Sequence, residues 1–238
     1  MNEAGRERRE RLVKLGSATA FLAIVAIAVL VVISQGGSDG GDASSIEGAA
    51  EVRAELEGIP QRGLVLGDPG ADVTLLEFGD LQCPVCKAYS EDIVPQVIES
   101  KVRGGEARLA FRNFAFIGEE SVDAAAAAIA AGEQGRGWDF VELFYRNQGT
   151  EASGYVTDEF LTAIAEGAGV ADIEQWDEAR GSDRLRRQVE AEIAEAEDFG
   201  LTGTPSFAIE GPLVDGGQDV LGTPGAAGPL EDAIEDAS

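Results

Sequence analysis

The chain of 238 residues contains no histidine and only two cysteines, Cys83 and Cys86. The absence of histidine excludes a Ser-His-Asp or Cys-His hydrolase and most zinc enzymes, because these sites need an imidazole. Two thiols alone do not complete a four-ligand zinc site unless two chains share one metal. We therefore expect no metal and no cofactor, and the chemistry that remains centres on the cysteine pair.

Basic residues are also scarce, with 18 lysines and arginines against 44 acidic residues and a formal net charge of −26 at pH 7. Several of the basic residues cluster before residue 15, so the rest of the chain is still more acidic. Such a surface repels phosphate backbones. The composition therefore excludes nucleic acid as a partner.

Residues 15–33 contain no charged residue and are almost entirely apolar. A helix of this length spans about 28 Å, close to the thickness of a bilayer core. Because residues 1–14 are basic, we expect a cytoplasmic N-terminus, a single-pass anchor in the cell membrane and an extracytoplasmic C-terminal domain. A buried core helix and a cleaved signal peptide are the alternatives. The run has no polar face, however, and ends without an Ala-x-Ala cleavage site.

Residues 34–60 are predicted to form a flexible stalk, because 34–45 are rich in Gly, Ser and Asp, although 46–56 has a short helical pattern. We assign residues 61–238 to one domain. Its patterns predict strands at 63–66, 73–78, 108–114, 206–210 and about 214–220. They predict helices at 87–101, with a kink at Pro95, throughout about 119–199, and at 230–237. This order indicates an α/β sheet with a helical insertion, the strands at 73–78 and 108–114 pairing in parallel.

The two cysteines form a Cys-Pro-Val-Cys motif where a predicted strand meets a predicted helix. This position puts Cys83 at the helix N-terminus, where unpaired N–H groups and the helix dipole stabilise a thiolate. Pro84 suits the first helical position, because the N–H that it lacks would be unpaired there. We predict that Cys83 is the exposed nucleophile with a lowered pKa and that Cys86 is the buried resolving thiol.

Three other interpretations of the cysteine pair remain. A structural disulfide between Cys83 and Cys86 closes a loop so short that it constrains the unfolded chain little. Half of a metal site would lack its remaining ligands in this chain. Inert core thiols fit poorly with an exported protein that has no other cysteine.

Two segments resemble the DsbA-like branch of the thioredoxin superfamily: Phe78-Gly79-Asp80-Leu81-Gln82-Cys83-Pro84-Val85-Cys86-Lys87 and, about 120 residues later, Gly203-Thr204-Pro205-Ser206-Phe207. The resemblance covers about residues 60–238 and includes the helical insertion. It implies a thioredoxin-like fold, here preceded by a transmembrane helix. It also implies a protein thiol–disulfide oxidoreductase whose redox-active disulfide joins Cys83 and Cys86.

The resemblance also implies roles for three further residues. Pro205 falls where the family has a cis proline that faces the disulfide, and Thr204 before it would offer its backbone to a substrate strand. Without the cysteines, Gly-Thr-Pro would indicate an ordinary turn. Glu77 falls where the superfamily has a buried acid that exchanges a proton with the second cysteine. The alternative for Glu77 is a strand-edge charge facing solvent, but its apolar neighbours favour burial.

As the resemblance implies, the leading hypothesis is a monomeric oxidase of exported, cysteine-containing proteins that a membrane quinone-linked partner re-oxidises. The strongly oxidising relatives carry histidine inside the motif, whereas this chain has Val85, whose side chain neither donates a hydrogen bond nor carries charge. The pair is therefore expected to be less oxidising than in those relatives. A reductase or isomerase that uses the same residues stays open, and so does a non-catalytic exported binding module.

Overall fold

The computed structural model describes residues 46–238. The predicted cytoplasmic segment 1–14, the predicted anchor 15–33 and residues 34–45 of the predicted stalk lie outside the described residues. From residue 46 onward, none of the helices is both long and apolar enough to cross a membrane.

The described chain is built on one mixed sheet with strand order β1-β2-β4-β3-β5-β6. The parallel pair is β3 with β4, and the other neighbours run antiparallel. The strands are β1 (Gln61–Arg62), β2 (Val65–Leu66), β3 (Val73–Gly79), β4 (Ala107–Asn113), β5 (Ser206–Glu210) and β6 (Gln218–Gly222).

Every residue of the central strand β3 is buried, because both faces of the sheet are covered. Successive side chains of a strand point to opposite faces. Leu75 joins the larger core cluster, which contains Cys86, and Leu76 and Phe78 join a smaller cluster on the other face. Glu77 therefore points to the same face as Leu75, toward the cysteine side of the sheet.

The crossover from β3 to β4 is helical, as the sequence predicts, but it is divided into three segments. These are α2 (Pro84–Asp92), α3 (Val94–Val97) and a π-helical turn (Ile98–Val102). The break falls at Ile93, two residues before Pro95, because proline supplies no N–H to continue the preceding helix. The predicted kink is thus confirmed, whereas the π-helical turn was not predicted.

Five helices fill the chain between β4 and β5, so the predicted helical insertion is confirmed. Thr157, Asp172 and Ser182 each begin one of these helices by accepting a hydrogen bond from a backbone N–H three residues on. The bounds are α4 (Glu119–Glu133), α5 (Gly137–Arg146), α6 (Asp158–Ala168), α7 (Ile173–Arg180) and α8 (Asp183–Asp198). The chain ends with α9 (Gly228–Ala237).

The predicted domain boundary at residue 61 is wrong, because residues 46–60 are folded against the domain. Helix α1 (Ala49–Leu56) buries Val52 and Leu56 in the larger core cluster. Asn147 fixes the start of this segment, accepting from the Glu47 N–H at 2.8 Å and donating to the Glu47 carbonyl at 2.9 Å. Packing against the helical block therefore fixes a segment whose short pattern next to a glycine-rich run had indicated a stalk.

Two predicted strands also differ from the structure. The strand predicted at 63–66 is a small hairpin, since Gly63 turns with φ +60° between β1 and β2. The strand predicted at about 214–220 begins later, at Gln218, because Gly216 and Gly217 form a turn with φ of +80° and +88°. A positive φ strains residues that carry a Cβ, so glycine suits these three positions.

Candidate active site

Cys83 is the N-cap of α2, and Pro84 follows at the start of the helix. Cys83 is 7% exposed and Cys86 is 0% exposed. The prediction that Cys83 is an exposed thiol is therefore wrong in degree, because the surrounding loops cover most of it. The order of access is still the predicted one, since only Cys83 has any contact with solvent.

The two thiols have opposite pKa shifts. The pKa of Cys83 falls to about 6, chiefly through the hydrogen bond from Cys86 and against the effect of burial. The Thr204 side chain and the backbone N–H groups of Cys86 and Val85 lower it further. Burial raises the pKa of Cys86 well above its usual range, and the adjacent Cys83 adds to that rise. At neutral pH the pair therefore holds one thiolate, on the more accessible sulfur.

Thr204 and Pro205 lie directly opposite Cys83, just before β5. The Cys83 thiol donates to the Thr204 carbonyl at 3.5 Å, and the Thr204–Pro205 peptide bond is cis. Thr223 donates from its hydroxyl to the Pro205 carbonyl at 2.7 Å. Within the described chain the Thr204 hydroxyl is buried without a hydrogen-bond partner, so it is available to a thiolate formed on Cys83. The structure thus brings together the two distant motifs.

Glu77 is 2% exposed in β3, opposite Phe111 of β4 and Phe207 of β5. The strand-edge alternative for Glu77 is therefore excluded, and burial is confirmed. Because Glu77 lies in a central strand, desolvation raises the pKa of its carboxyl to about 8. At neutral pH this buried group is mostly protonated and carries a proton on the cysteine side of the sheet.

Asp80, which sequence reasoning did not single out, is buried and organises the loop before Cys83. One carboxylate oxygen accepts from the backbone N–H groups of Phe116 and Ile117, both at 3.0 Å. The other accepts from the Gln82 N–H at 2.9 Å and from the Ser121 hydroxyl at 2.7 Å. Asp80 therefore joins the cysteine loop to the loop after β4. Its place in the motif was visible in the sequence, but its partners were not.

Gln148 is a second residue that the sequence did not reveal. Its amide donates to the Leu81 carbonyl at 2.7 Å and to the Cys83 carbonyl at 3.1 Å. It comes from the end of α5, so the helical insertion directly supports the cysteine loop. No local pattern around Gln148 indicates this contact.

A second buried carboxyl, Glu142 of α5, is also in the larger core layer. It is 2% exposed and accepts a hydrogen bond of 2.7 Å from the hydroxyl of Ser90, which lies one helical turn after Cys86 on α2. Burial raises the pKa of Glu142 to about 8, and the negative charge of Glu77 adds to that rise. No sequence pattern singles out Glu142, because a glutamate in an amphipathic helix usually faces solvent.

Two apolar side chains near the cysteines are exposed, Val85 at 49% and Phe116 at 50%. The Asp80 carboxylate holds the loop that carries Phe116 next to the cysteine loop. Among residues 46–238 no cluster of His, Cys, Asp or Glu has the arrangement of a metal site. The site combines a stabilised thiolate on Cys83, a more deeply buried thiol on Cys86 and a protonated carboxyl on Glu77. These are the groups that thiol–disulfide exchange needs.

Comparison with known proteins agrees with this geometry. A family model described as Thioredoxin matches residues 60–222. The chain is 31% identical over 151 residues to the probable disulfide bond formation protein D of Bacillus cereus, covering 62% of this chain and 70% of that protein. It is 28% identical over 152 residues to disulfide bond formation protein D of Bacillus subtilis, covering 63% and 68%. The crystal structure of oxidised BdbD from Bacillus subtilis superposes with a TM-score of 0.65 at 24% identity, over 75% of this chain and 97% of that chain.

Proposed function

Because the chain belongs to the DsbA-like branch of the thioredoxin superfamily and is a thiol–disulfide oxidoreductase, we propose that it introduces disulfide bonds into exported, cysteine-containing proteins. The single observation that carries this proposal is the opposite shift of the two thiol pKa values. A stabilised Cys83 thiolate favours the reduced form of the protein and so makes its disulfide a better oxidant. The names of the two Bacillus relatives support the same direction.

The oxidation runs in two exchange steps. A substrate thiolate attacks the Cys83 sulfur of the Cys83–Cys86 disulfide, which forms a mixed disulfide and releases Cys86 as a thiolate. Glu77 gives its proton to Cys86, because the thiol has the higher pKa of the two. A second substrate thiolate then attacks the substrate sulfur of the mixed disulfide and releases the Cys83 thiolate. The substrate gains a disulfide, and the protein keeps both electrons as a dithiol.

The second step favours Cys83 as the leaving group, because a thiol of low pKa leaves faster. The backbone next to Pro205 supports substrate binding in the mixed disulfide. Thr204 lies beside Cys83, and its carbonyl, which accepts from the Cys83 thiol in the reduced protein, would accept from an extended substrate segment by strand addition once Cys83 is in the mixed disulfide. Exposed Val85 and Phe116 add apolar surface on the same side. An unfolded substrate segment, with its backbone and apolar side chains accessible, suits this site.

The cell-envelope setting is part of the proposal. Residues 15–33 would hold the protein in the membrane as a single-pass anchor, with the catalytic domain outside the cytoplasm. There a membrane quinone-linked partner would re-oxidise the dithiol by accepting its two electrons. We propose a monomer, because residues 36–60 are too short and too rich in glycine to add the dimerisation region that isomerases of this superfamily carry.

A reductase or isomerase is the second candidate, and Val85 is the observation that favours it. This side chain offers neither charge nor a hydrogen bond to the Cys83 thiolate, so it does not stabilise the reduced form. A non-catalytic binding module fits less well, because an inert pair has no need of a lowered pKa at the accessible sulfur.

The equilibrium of the full-length protein with glutathione distinguishes these functions. An oxidase is expected to be mostly reduced at a ratio of glutathione to glutathione disulfide at which thioredoxin-like reductases stay oxidised. A potential close to that of thioredoxin, about −270 mV, would contradict the oxidase and favour the reductase. A pair that neither equilibrates with glutathione nor forms mixed disulfides would favour the binding module.

A further inference from the structure

Glu142 is a buried acid without an ion pair among residues 46–238. Its one hydrogen-bond donor there is the Ser90 hydroxyl, at 2.7 Å. The nearby Arg146 guanidinium instead pairs with Glu55 of α1, at 2.7 Å. A buried carboxyl that serves only for packing is costly unless it is paired, and an apolar side chain fills the same space more favourably.

The position of Glu142 links it to the cysteine pair. Ser90 lies four residues after Cys86, so the two share one face of α2. Glu142 thus receives its hydrogen bond from the face that presents the resolving thiol. Glu77 reaches the same layer from the sheet, since its face of β3 belongs to the core cluster that contains Cys86. Two buried carboxyls, one from β3 and one from α5, therefore face the core layer that contains the resolving thiol.

The electrostatic surroundings of Glu142 are simple. The charged groups that act on it are Glu77 of β3, Glu55 of α1 and, on its own helix, Arg146. From α2 it meets the neutral Ser90 hydroxyl, and Gln61 of β1 is engaged by Asp139 at 2.6 Å. The neighbouring helices α4 and α6 contribute mainly apolar buried residues, among them Ala124, Ala127, Ala128, Leu161, Ile164 and Ala165. Because Glu55 is paired with Arg146, Glu77 is the carboxyl without an ion pair among the charged groups of residues 46–238 that act on Glu142.

We propose that Glu142, positioned by Ser90 on the helix that bears Cys86, is a second proton carrier of the redox centre and shares with Glu77 the proton exchanged with Cys86. This inference rests on the proposed function, in which Glu77 protonates Cys86 as the disulfide opens. After that transfer Glu77 is a buried anion, and a proton from Glu142 neutralises it in part. The negative charge is thereby shared between the two buried carboxyls, Glu77 and Glu142.

Coupling between the carboxyls is supported by their pKa values, because the Glu77 charge raises the pKa of Glu142. Such coupling is reciprocal, and the two protons leave in steps that belong to the pair. At neutral pH the pair is mostly protonated, since the pKa of each carboxyl is near 8. It therefore holds protons in the pH range where Cys86 needs one.

The test is a redox-difference infrared spectrum of the full-length protein at pH 7, recorded in the region of the protonated carboxyl stretch. Opening the disulfide moves a proton to Cys86, so wild-type protein is expected to show difference bands from two carboxyls. Glu142→Gln keeps an acceptor for Ser90 and should remove one band. Ser90→Ala removes the hydrogen bond and keeps the carboxyl, so it should shift that band without abolishing it. A difference spectrum that Glu142→Gln leaves unchanged overturns the inference.

A kinetic readout separates this inference from the proposed function. The rate at which dithiothreitol thiolate opens the disulfide should fall as pH rises through about 8, because the proton donors are lost. Glu142→Gln should lower the midpoint of this fall by about half a pH unit and make it a one-proton step. Glu142→Asp should restore the two-proton profile and also serves if the glutamine variant does not fold. If Glu77→Gln changes the profile and Glu142→Gln does not, the inference fails while the proposed function stands.

Discussion

The Cys83 thiol donates a hydrogen bond to the carbonyl oxygen of Thr204, which lies 121 positions further along the chain, with 3.5 Å between sulfur and oxygen. The antiparallel pairing of β3 with β5 creates this contact, because Phe78 stands opposite Ser206. The cysteine loop follows the end of β3 and the cis proline precedes the start of β5, so the two lie next to each other. The properties of Cys83 therefore depend on the whole sheet as well as on its own motif.

The first prediction concerns the order of reactivity of the two thiols. In reduced protein, iodoacetamide should label Cys83 with a pH midpoint near 6 and leave Cys86 almost unlabelled, since burial raises the pKa of Cys86. Cys86→Ala should accumulate mixed disulfides through Cys83, whereas Cys83→Ser should form none. Mass spectrometry of the labelled peptides checks the assignment. Faster labelling of Cys86 would reverse the assigned roles.

The second prediction concerns Val85. Val85→His should make the protein a stronger oxidant, because histidine donates a hydrogen bond and, when protonated, a positive charge to the Cys83 thiolate. A charge-assisted hydrogen bond contributes about 1.5–3 kcal/mol, and about 30 mV corresponds to 1.4 kcal/mol for two electrons. The potential against glutathione should therefore rise by tens of millivolts, and the Cys83 pKa should fall with it.

Val220→His is the matched control for this change, because Val220 is also an exposed valine, at 41%, but lies on β6. It should leave the potential unchanged. A folded Val85→His variant with the wild-type potential would show that the residues between the two cysteines do not determine the reduction potential of the pair.

The third prediction concerns the pH dependence of stability. The folded-state pKa of Glu77, about 8, lies above its unfolded value, so the folded protein binds the extra proton between about pH 4.5 and pH 8. Stability should therefore fall as pH rises through that window, by about 1.4 kcal/mol per pH unit from this group. Glu77→Gln should remove the contribution of Glu77 and leave the similar slope that Glu142 adds. Urea denaturation of the oxidised protein is the measurement, because oxidation removes the opposing contribution of the Cys83 thiolate.

The direction in which the unfolding free energy changes with pH tests this prediction. A raised carboxyl pKa destabilises the fold at pH values above the unfolded-state pKa. The stability of Glu77→Gln relative to wild-type protein should therefore increase between pH 5 and pH 8. Parallel slopes for the two proteins would show that Glu77 titrates as an ordinary solvated acid.

The fourth prediction concerns Asp80, whose carboxylate accepts from three backbone N–H groups and the Ser121 hydroxyl. Asp80→Asn replaces one acceptor oxygen by a donor and leaves a buried donor unpaired, which should cost about 2–3 kcal/mol of unfolding free energy. Asp92→Asn, at an exposed position on the same helical crossover, should change it by less than about 0.5 kcal/mol. Equal effects of the two changes in urea denaturation would contradict the bridging role of Asp80.

The sequence predicted the parts of the site that local patterns determine. A Cys-Pro-Val-Cys motif after an apolar strand predicts a thiol at a helix N-terminus, and a glutamate between apolar strand residues indicates burial. Glu142 and Gln148 were not predictable in this way, because their partners come from α2 and from the cysteine loop. The short helical pattern at 46–56 did indicate α1, but its packing against the domain was missed for the same reason, since the partners lie in the helical block.

The fifth prediction concerns residues 15–33 as a retained anchor. The full-length protein should fractionate with membranes, and its C-terminal domain should be accessible to protease added outside the cytoplasm. A version that lacks residues 1–45 should be recovered without membranes and keep the folded domain, because the described fold begins at Ile46. Mature chains that begin near residue 36 and occur wholly in the secreted fraction would replace the anchor with a cleaved signal.

Disulfide transfer to a reduced, unfolded protein tests the central claim most directly. Oxidised full-length protein is mixed with reduced, unfolded ribonuclease in the absence of any other oxidant, and the disulfides in both proteins are counted with time. The account predicts that the ribonuclease gains one disulfide for each Cys83–Cys86 disulfide that is lost, and that Cys83→Ser transfers none. Ribonuclease that stays reduced while the Cys83–Cys86 disulfide remains intact would contradict the account.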